Sequence, residues 1–455
     1  MNQWPTVFQA SPEPGSLISG FRIRWQLLTL SERLVCSWIL LIPVWWLWGW
    51  SYLRVAIAIG IVIYTLRQER RLTLKRPSAL VLLMVVYGLY GLISKYFYAR
   101  YNTISLNPRE LLGVLNTWFS PAFILWYIQS KDIRIRPLVV AWAFSVSVVS
   151  MLLFWCLIYF VFHQAEYIPP RSLFGLLTQK ALVYVPGAGN SNYLLPYAPK
   201  DHSFAGFARY YSFFHGPESL SLIISFILLL ALDLKNRGWS TLLFGGSFFL
   251  LLLSGTRSAA LAMIAVLSLR WLLKTGKSWR FPFLCALLAI ASFTILSVPP
   301  ITKVIFDVST STVQATGNIR QDSTEVRGLI YEKTLDAISN SPNAVFLFGH
   351  VVEGPTVLRG YEPATIGSHS LYLGTLLYLR GIVGTGIFMS YWVALLTWLY
   401  QTRHGRPLSC LLMFIVFSIT FCVMAFEPVV QYLILLCSMT RQSQLSPTHS
   451  SVAVL

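Results

Sequence analysis

The chain has 455 residues, of which 55% are hydrophobic and 11% charged, and its mean hydropathy is +0.62. That balance excludes a soluble globular domain, because apolar runs long enough to cross a hydrocarbon core of about 30 Å recur along the whole length. The formal net charge of +18 would suit nucleic acid, but the Lys and Arg residues collect in short loops between apolar runs, as cytoplasmic loops of membrane proteins do; no nucleic-acid partner is expected.

In chain order, Met1–Ser31 shows no short apolar core followed by a small-residue cleavage site, so no removable signal peptide is expected. Apolar runs predict membrane spans over 36–52, 53–66, 79–97, 111–130 and 138–162. A polar segment follows, roughly His163–Pro217, in which Tyr167-Ile-Pro-Pro and Pro186-Gly-Ala-Gly-Asn-Ser-Asn mark irregular backbone with turns. Pro217 and Glu218 suit the first turn of the next span. Further spans are predicted over 218–234, 239–254, 258–273 and 281–298. The second polar segment, roughly Pro299–Ser368, holds one credible helix. Asp322-Ser-Thr-Glu325 has capping-box spacing, Pro342 stops the helix, and Val326, Ile330, Leu335 and Ile338 form an apolar stripe. A long loop with its own helix is more often a functional lid than a linker. Runs over 371–400, 408–425 and 427–438 complete the chain, the first long enough to be tilted or broken.

The expected fold is therefore an all-α polytopic membrane protein of about twelve transmembrane helices with two large extracytoplasmic loops, the second containing a short helix. Residues 1–162 form the N-terminal membrane helices, 163–217 the first outer loop, 218–298 the central membrane helices, 299–370 the second outer loop, and 371–455 the C-terminal membrane helices and tail. Basic residues set the orientation. Arg67, Arg70, Arg71, Lys75, Arg76, Lys131, Arg134, Arg136, Lys235, Arg237, Arg270, Lys274, Lys277, Arg280, Arg403 and Arg406 all fall on one side if the N-terminus is cytoplasmic. Both polar segments then face outward. The six cysteines lie in or at the edge of apolar runs, so neither a disulfide framework nor a CxxC metal site is expected.

Three residues on the outer side could carry chemistry. Arg257, in Ser254-Gly-Thr-Arg257-Ser-Ala-Ala-Leu261, sits in a very short turn between two apolar runs. Its planar fork suits phosphate oxygens, and the plainer alternative is an arginine anchoring a helix end. Arg327, at the start of the loop helix, works against the helix dipole unless an anion is nearby; otherwise it is a solvated charge paired with Glu325 or Glu332. His369, in Gly367-Ser-His369-Ser-Leu-Tyr372-Leu-Gly374, could activate a hydroxyl as a general base, or be structural. No His/Asp/Glu cluster has ligand spacing, so no metal and no cofactor are expected.

In this order, the Arg257 to Leu261 motif, the Arg327 helix leading to Pro342 and Phe348-Gly349, and the His369 segment resemble the O-antigen ligase family and its polysaccharide-polymerase relatives. The stretch from about Arg209 to Phe388 carries the resemblance. It implies an inverting, metal-independent glycosyltransferase in the bacterial inner membrane, with its active site facing the periplasm. The implied partners are a polyprenyl-diphosphate-linked glycan donor, a glycan or glycolipid acceptor, and membrane lipid. Arg257 and Arg327 would hold the diphosphate, and His369 would deprotonate the acceptor hydroxyl. Arg209, Glu218 and Tyr372 are further candidates for substrate contact. Tyr167, Tyr184, Tyr193, Tyr197, Tyr210 and Tyr211 would offer stacking surfaces for sugar or anchor the loop at the interface. Two positions depart from the family pattern. Ser370 stands where Asn is common, and Gly381 follows His369 one residue late, so that Arg380 reads as an insertion turning the helix by ~100°.

Two other classes compete. A transporter of a small anion such as bicarbonate would need ionisable groups or broken helices near the bilayer midplane, whereas the ionisable residues here cluster at helix ends. A scaffold for polysaccharide export would not need Arg257 and His369 together.

Overall fold

The computed structural model describes residues 18–19, 22–71, 73–105, 108–163, 166–179, 184, 192–204, 206–275, 321–357 and 364–441. The expected span over 281–298 and the chain beyond 441 lie outside them. The described chain is mostly helical. After a two-stranded hairpin (β1 Ile18–Ser19, β2 Arg22–Ile23) come α1 (Leu30–Leu40), α2 (Ile42–Trp48), α3 (Leu53–Glu69), α4 (Ala79–Tyr101), α5 (Pro108–Val114), α6 (Ser120–Ser130) and α7 (Pro137–Phe160). The first polar segment contains α8 (Leu173–Leu177) and a second hairpin, β3 (Tyr197–His202) with β4 (Ala208–Tyr210). Then follow α9 (Pro217–Ala231), α10 (Arg237–Ser254), α11 (Arg257–Thr275), α12 (Gln321–Ser339), α13 (Asn343–Phe348), α14 (Leu379–Gln401), α15 (Leu408–Thr420) and α16 (Pro428–Met439). Two short hairpins thus qualify the all-α expectation; Tyr167–Pro170 carries no regular element, as expected, and residues 186–191 lie outside the described residues.

Among the described residues four helical stretches are long and apolar enough to cross a membrane, Ala79–Tyr101, Leu111–Ser130, Pro137–Phe160 and Leu371–Gln401, and α1 with α2, bent by 60°, would make a fifth. Several apolar helices of this kind mark a multi-pass membrane protein. The count is below twelve because other predicted runs form shorter or less apolar helices. The clearest is α9, of 15 residues, in which every residue except Glu218 is buried. A helix that is apolar all round must be enclosed on all sides, and α9 packs among α7, α10, α11, α15 and α16. It is the axis of the core.

Both ends of α9 are fastened. At its C-terminal end Arg270 Nη2 donates to Asp233 Oδ1 at 2.8 Å and to the Leu232 carbonyl at 2.7 Å, while Asp233 Oδ2 accepts from Ser409 N at 2.9 Å. The same end of the bundle holds the pair of Arg136 with Glu32 at 2.7 Å. At the other end, the chain entering α9 is laid on α7: Tyr210 Oη donates to the Met151 carbonyl at 2.7 Å, and the Phe213 and Phe154 rings stack at 4.8 Å.

The run that opens the last bundle is broken, as its length predicts. Leu371–Tyr378 is a π-helix, in which Thr375 N reaches five residues back to the Ser370 carbonyl at 3.0 Å. Each turn of a π-helix holds more residues than an α-turn. At Gly381 (φ 64°, ψ −172°) the chain leaves helical geometry before α14 continues. The expected simple rotation of one continuous helix by Arg380 is therefore corrected: a wide turn takes up residues before the break, and Gly381 resets the phase. Gly381 is required here, because a Cβ would overlap the Leu347 carbonyl oxygen at the end of α13, where the chain crosses the break. The segment that follows lies against the break, with His350 N and Val351 N donating to the Tyr378 and Leu379 carbonyls at 2.9 and 3.0 Å.

Candidate functional site

The site grows from the first turn of α9. Gly216 leads into Pro217, and Glu218 lies in the first turn, where a carboxylate favours the helix dipole. Arg209, on β4 and only 8% exposed, reaches across this turn. Its Nη2 donates to Glu218 Oε1 at 3.1 Å, and its Nε donates to the Ser254 carbonyl at 2.9 Å. Asp201 lies 3.9 Å from its Nη1. Arg209 thus ties α9 to the end of α10 through its Nε and Nη2 donors.

Ser254 ends α10, Gly255 turns the chain in the left-handed region (φ 62°), and Arg257 is the first residue of α11. Thr256 Oγ1 donates to the Pro217 carbonyl at 3.2 Å, which sets the turn carrying Arg257 against the start of α9. Arg257 is half-buried. The dipole argument made for Arg327 applies better to Arg257, because α12 already begins at Gln321 and Arg327 lies beyond its first turn. The proposed cap at Asp322 accordingly falls inside α12, and its side chain lies outside the described residues.

The buried stripe of α12 is also corrected. Ile330 and Ile338 are buried, but Leu335 is 53% exposed and Thr334, at 1%, takes the inward position. Thr334 Oγ1 donates to the Ile330 carbonyl at 2.5 Å and accepts from Gly367 N at 3.0 Å. This bond docks α12 onto the loop that carries His369. Nothing in the sequence distinguished Thr334 from its neighbours, since its hydroxyl acts through a partner 33 residues away.

His369 stands in the left-handed region at φ 70°, unusual for a residue with a side chain. Its Nδ1 lies 2.7 Å from Ser368 Oγ, which is also 2.7 Å from the Thr365 carbonyl. With the Ser368 hydroxyl donating to that carbonyl, Oγ accepts from Nδ1–H and the lone pair falls on Nε2. Burial of the ring, and then the positive charge of Arg327, hold the imidazole below its usual pKa against the opposing pull of Glu218 and Glu353. The ring is neutral at neutral pH, which suits a base.

The structure thus brings His369, Arg327 and Glu218 within one electrostatic neighbourhood, braced by Arg209 and bordered by the turn that carries Arg257. Glu353, which sequence reasoning missed, joins them from the strand after α13; a lone exposed carboxylate in a loop gives no pattern to find. Tyr372 is not brought in through its hydroxyl, which donates to the Ser418 carbonyl on α15 at 3.2 Å. Of the loop tyrosines, Tyr193, Tyr197 and Tyr210 are buried at 5%, 4% and 1%, so they hold the first loop together and offer no open stacking face. Among the described residues no three His, Cys, Asp or Glu side chains gather as a metal site.

No protein-family model matches the chain, and no curated protein matches it either.

Proposed function

We propose that this membrane protein is an inverting glycosyltransferase that uses a polyprenyl-diphosphate-linked glycan, ligating or polymerising it at the outer face of the bacterial inner membrane, as O-antigen ligases and polysaccharide polymerases do. What supports it is the placing of His369 in one electrostatic neighbourhood with Arg327 and Glu218, where burial and then Arg327 hold its imidazole below its usual pKa, and where Nδ1 lies 2.7 Å from Ser368 Oγ. His369 Nε2 takes the proton of the acceptor hydroxyl as that oxygen attacks the anomeric carbon. The bond from the anomeric carbon to the diphosphate oxygen breaks, and polyprenyl diphosphate leaves with inversion. Arg257 and Arg327 hold the diphosphate and stabilise the charge that develops on it. The topology that belongs to this proposal has about twelve spans with a cytoplasmic N-terminus and both polar segments outside.

The test is transfer in membranes supplied with polyprenyl-diphosphate-linked glycan and no added metal. Wild type is expected to transfer, and His369→Ala, Arg257→Ala and Arg327→Ala to insert normally and lose activity. Absence of transfer to every lipid and sugar acceptor, together with loss of anion uptake in cells lacking the protein, would replace the enzyme with a transporter.

A further inference from the structure

His369 stands on a loop whose backbone is held on both sides. Before it, Gly367 N donates to Thr334 Oγ1 at 3.0 Å, and the Tyr378 ring lies where a Cβ on Gly367 would fall. After it, Ser370 caps the π-helix, its Oγ accepting from Leu373 N at 3.2 Å, and Leu371 N donates to the Met424 carbonyl at 2.8 Å. A backbone fixed in this way leaves the imidazole only its own two torsions, and these set where Nε2 points. Among the described residues the ring has one hydrogen-bond partner, Ser368 Oγ, 2.7 Å from Nδ1.

Ser368 is itself held in place. Its Oγ lies 2.7 Å from the Thr365 carbonyl, and its amide donates to that same oxygen at 3.1 Å. The carbonyl is fixed in turn, because Thr365 belongs to a short antiparallel pairing with Thr356. Gly354 N donates to the Ile366 carbonyl at 2.9 Å and Val357 N to the Ala364 carbonyl at 2.7 Å. Thr365 Oγ1 donates to Glu353 Oε2 at 2.6 Å. A carbonyl oxygen can only accept, and a serine hydroxyl has one proton to give. The reverse arrangement, with Ser368 donating to Nδ1, would put the ring proton on Nε2 and forfeit the bond to the carbonyl.

The partner of Nδ1 is a neutral group, where many catalytic histidines are oriented by a carboxylate. A carboxylate there would stabilise the charged imidazolium and raise its pKa; a hydroxyl orients the ring with little of that effect. Glu218 and Glu353 reach His369 through charge without bonding to it, and burial and Arg327 oppose them. The loop thus separates two tasks, orientation by Ser368 and charge balance by the three ionised neighbours.

We propose that Ser368 is the positioning residue of His369: with its hydroxyl committed to Thr365, it keeps the ring proton on Nδ1 and leaves Nε2 as the free lone pair. That the lone pair meets an acceptor hydroxyl rests on the transfer reading; the fixing of the ring does not. Nitrogen-15 NMR of the full-length protein in lipid nanodiscs, with labelled histidine and His369→Ala to assign the resonances, tests it at mildly alkaline pH. Wild type is expected to show one tautomer, Nδ1 protonated and Nε2 bare. Ser368→Ala should give a mixture of both tautomers, and Ser368→Thr, which keeps the hydroxyl, should retain the wild-type spectrum. In glycan transfer, Ser368→Ala should lower kcat about tenfold, the worth of one hydrogen bond, with KM unchanged, and Ser368→Thr should not. The proposal is overturned if wild type carries its proton on Nε2, if Ser368→Ala leaves the spectrum as in wild type, or if Ser368→Ala transfers as wild type does. A wild type that transfers nothing, yet loses its single tautomer in Ser368→Ala, would overturn the glycosyltransferase reading and uphold Ser368 as the residue that fixes the ring.

Discussion

At the scale of single residues, His369 is governed by its burial and by three charged neighbours whose effects differ in sign. Burial and Arg327 favour its neutral form, while Glu218 and Glu353 favour the charged one. A folded-state pKa below the ordinary value means that the base is competent at neutral pH and is lost only as pH falls through that lowered value. Removing the positive charge with Arg327→Met should move the acid limb of the transfer profile to higher pH, apart from any loss of donor binding. Glu353→Gln should move it lower. Shifts in the same direction, read from pH–rate profiles in proteoliposomes, would dismiss His369 as the titrating group. The backbone offers a second test. At φ 70° histidine is strained where glycine is not, so His369→Gly should fold at least as well as wild type by thermal unfolding. It should lose transfer by about 10²–10⁴-fold, the usual worth of a general base, and regain part of it when free imidazole fills the vacated space. Full activity without imidazole would remove His369 from the chemistry.

At the scale of elements, the junction between the π-helix, Gly381 and the Gly349 strand holds the second polar segment to the bundle. A Cβ on Gly381 would overlap the Leu347 carbonyl, one on Gly349 would overlap the Leu379 carbonyl, and both glycines have positive φ. Gly381→Ala and Gly349→Ala should therefore each destabilise the protein by at least roughly 1–3 kcal/mol, the scale of local backbone strain. Unchanged thermal unfolding of both would show that the crossing is not fixed as described. This junction also marks what the sequence made legible. The apolar runs, the break expected in the longest of them, the end of α12 before Pro342 and the placing of Arg257 at a short turn follow from hydropathy and from Gly and Pro, which act locally. The β3–β4 hairpin, the inward Thr334 and Glu353 do not, because each depends on partners far along the chain. Leu335 shows the limit from the other side. An apolar residue at nearly the right spacing was expected inside, and a hydroxyl with a specific acceptor and donor displaced it.

At the scale of the whole molecule, the two ends of the bundle differ in kind. The end that carries His369 holds Glu218, Arg209 and Glu427; the opposite end is tied by Arg136 with Glu32 and by Arg270 with Asp233. Arg270 is 6% and Asp233 15% exposed at the side chain, and removing one partner of such a pair costs about 3–5 kcal/mol. Arg270→Met is expected to lower thermal stability on that scale while leaving glycan transfer intact in the folded fraction. An unchanged melting temperature would show the pair to be dispensable. The joint at Asp233 also bears on motion. Any motion that parted Asp233 from both Arg270 and the amide at the head of α15 would strand charges away from water. At that cost the parted state would hold well under about one molecule in a hundred. The ends of α9, α11 and α15 that meet at this joint therefore move as one piece.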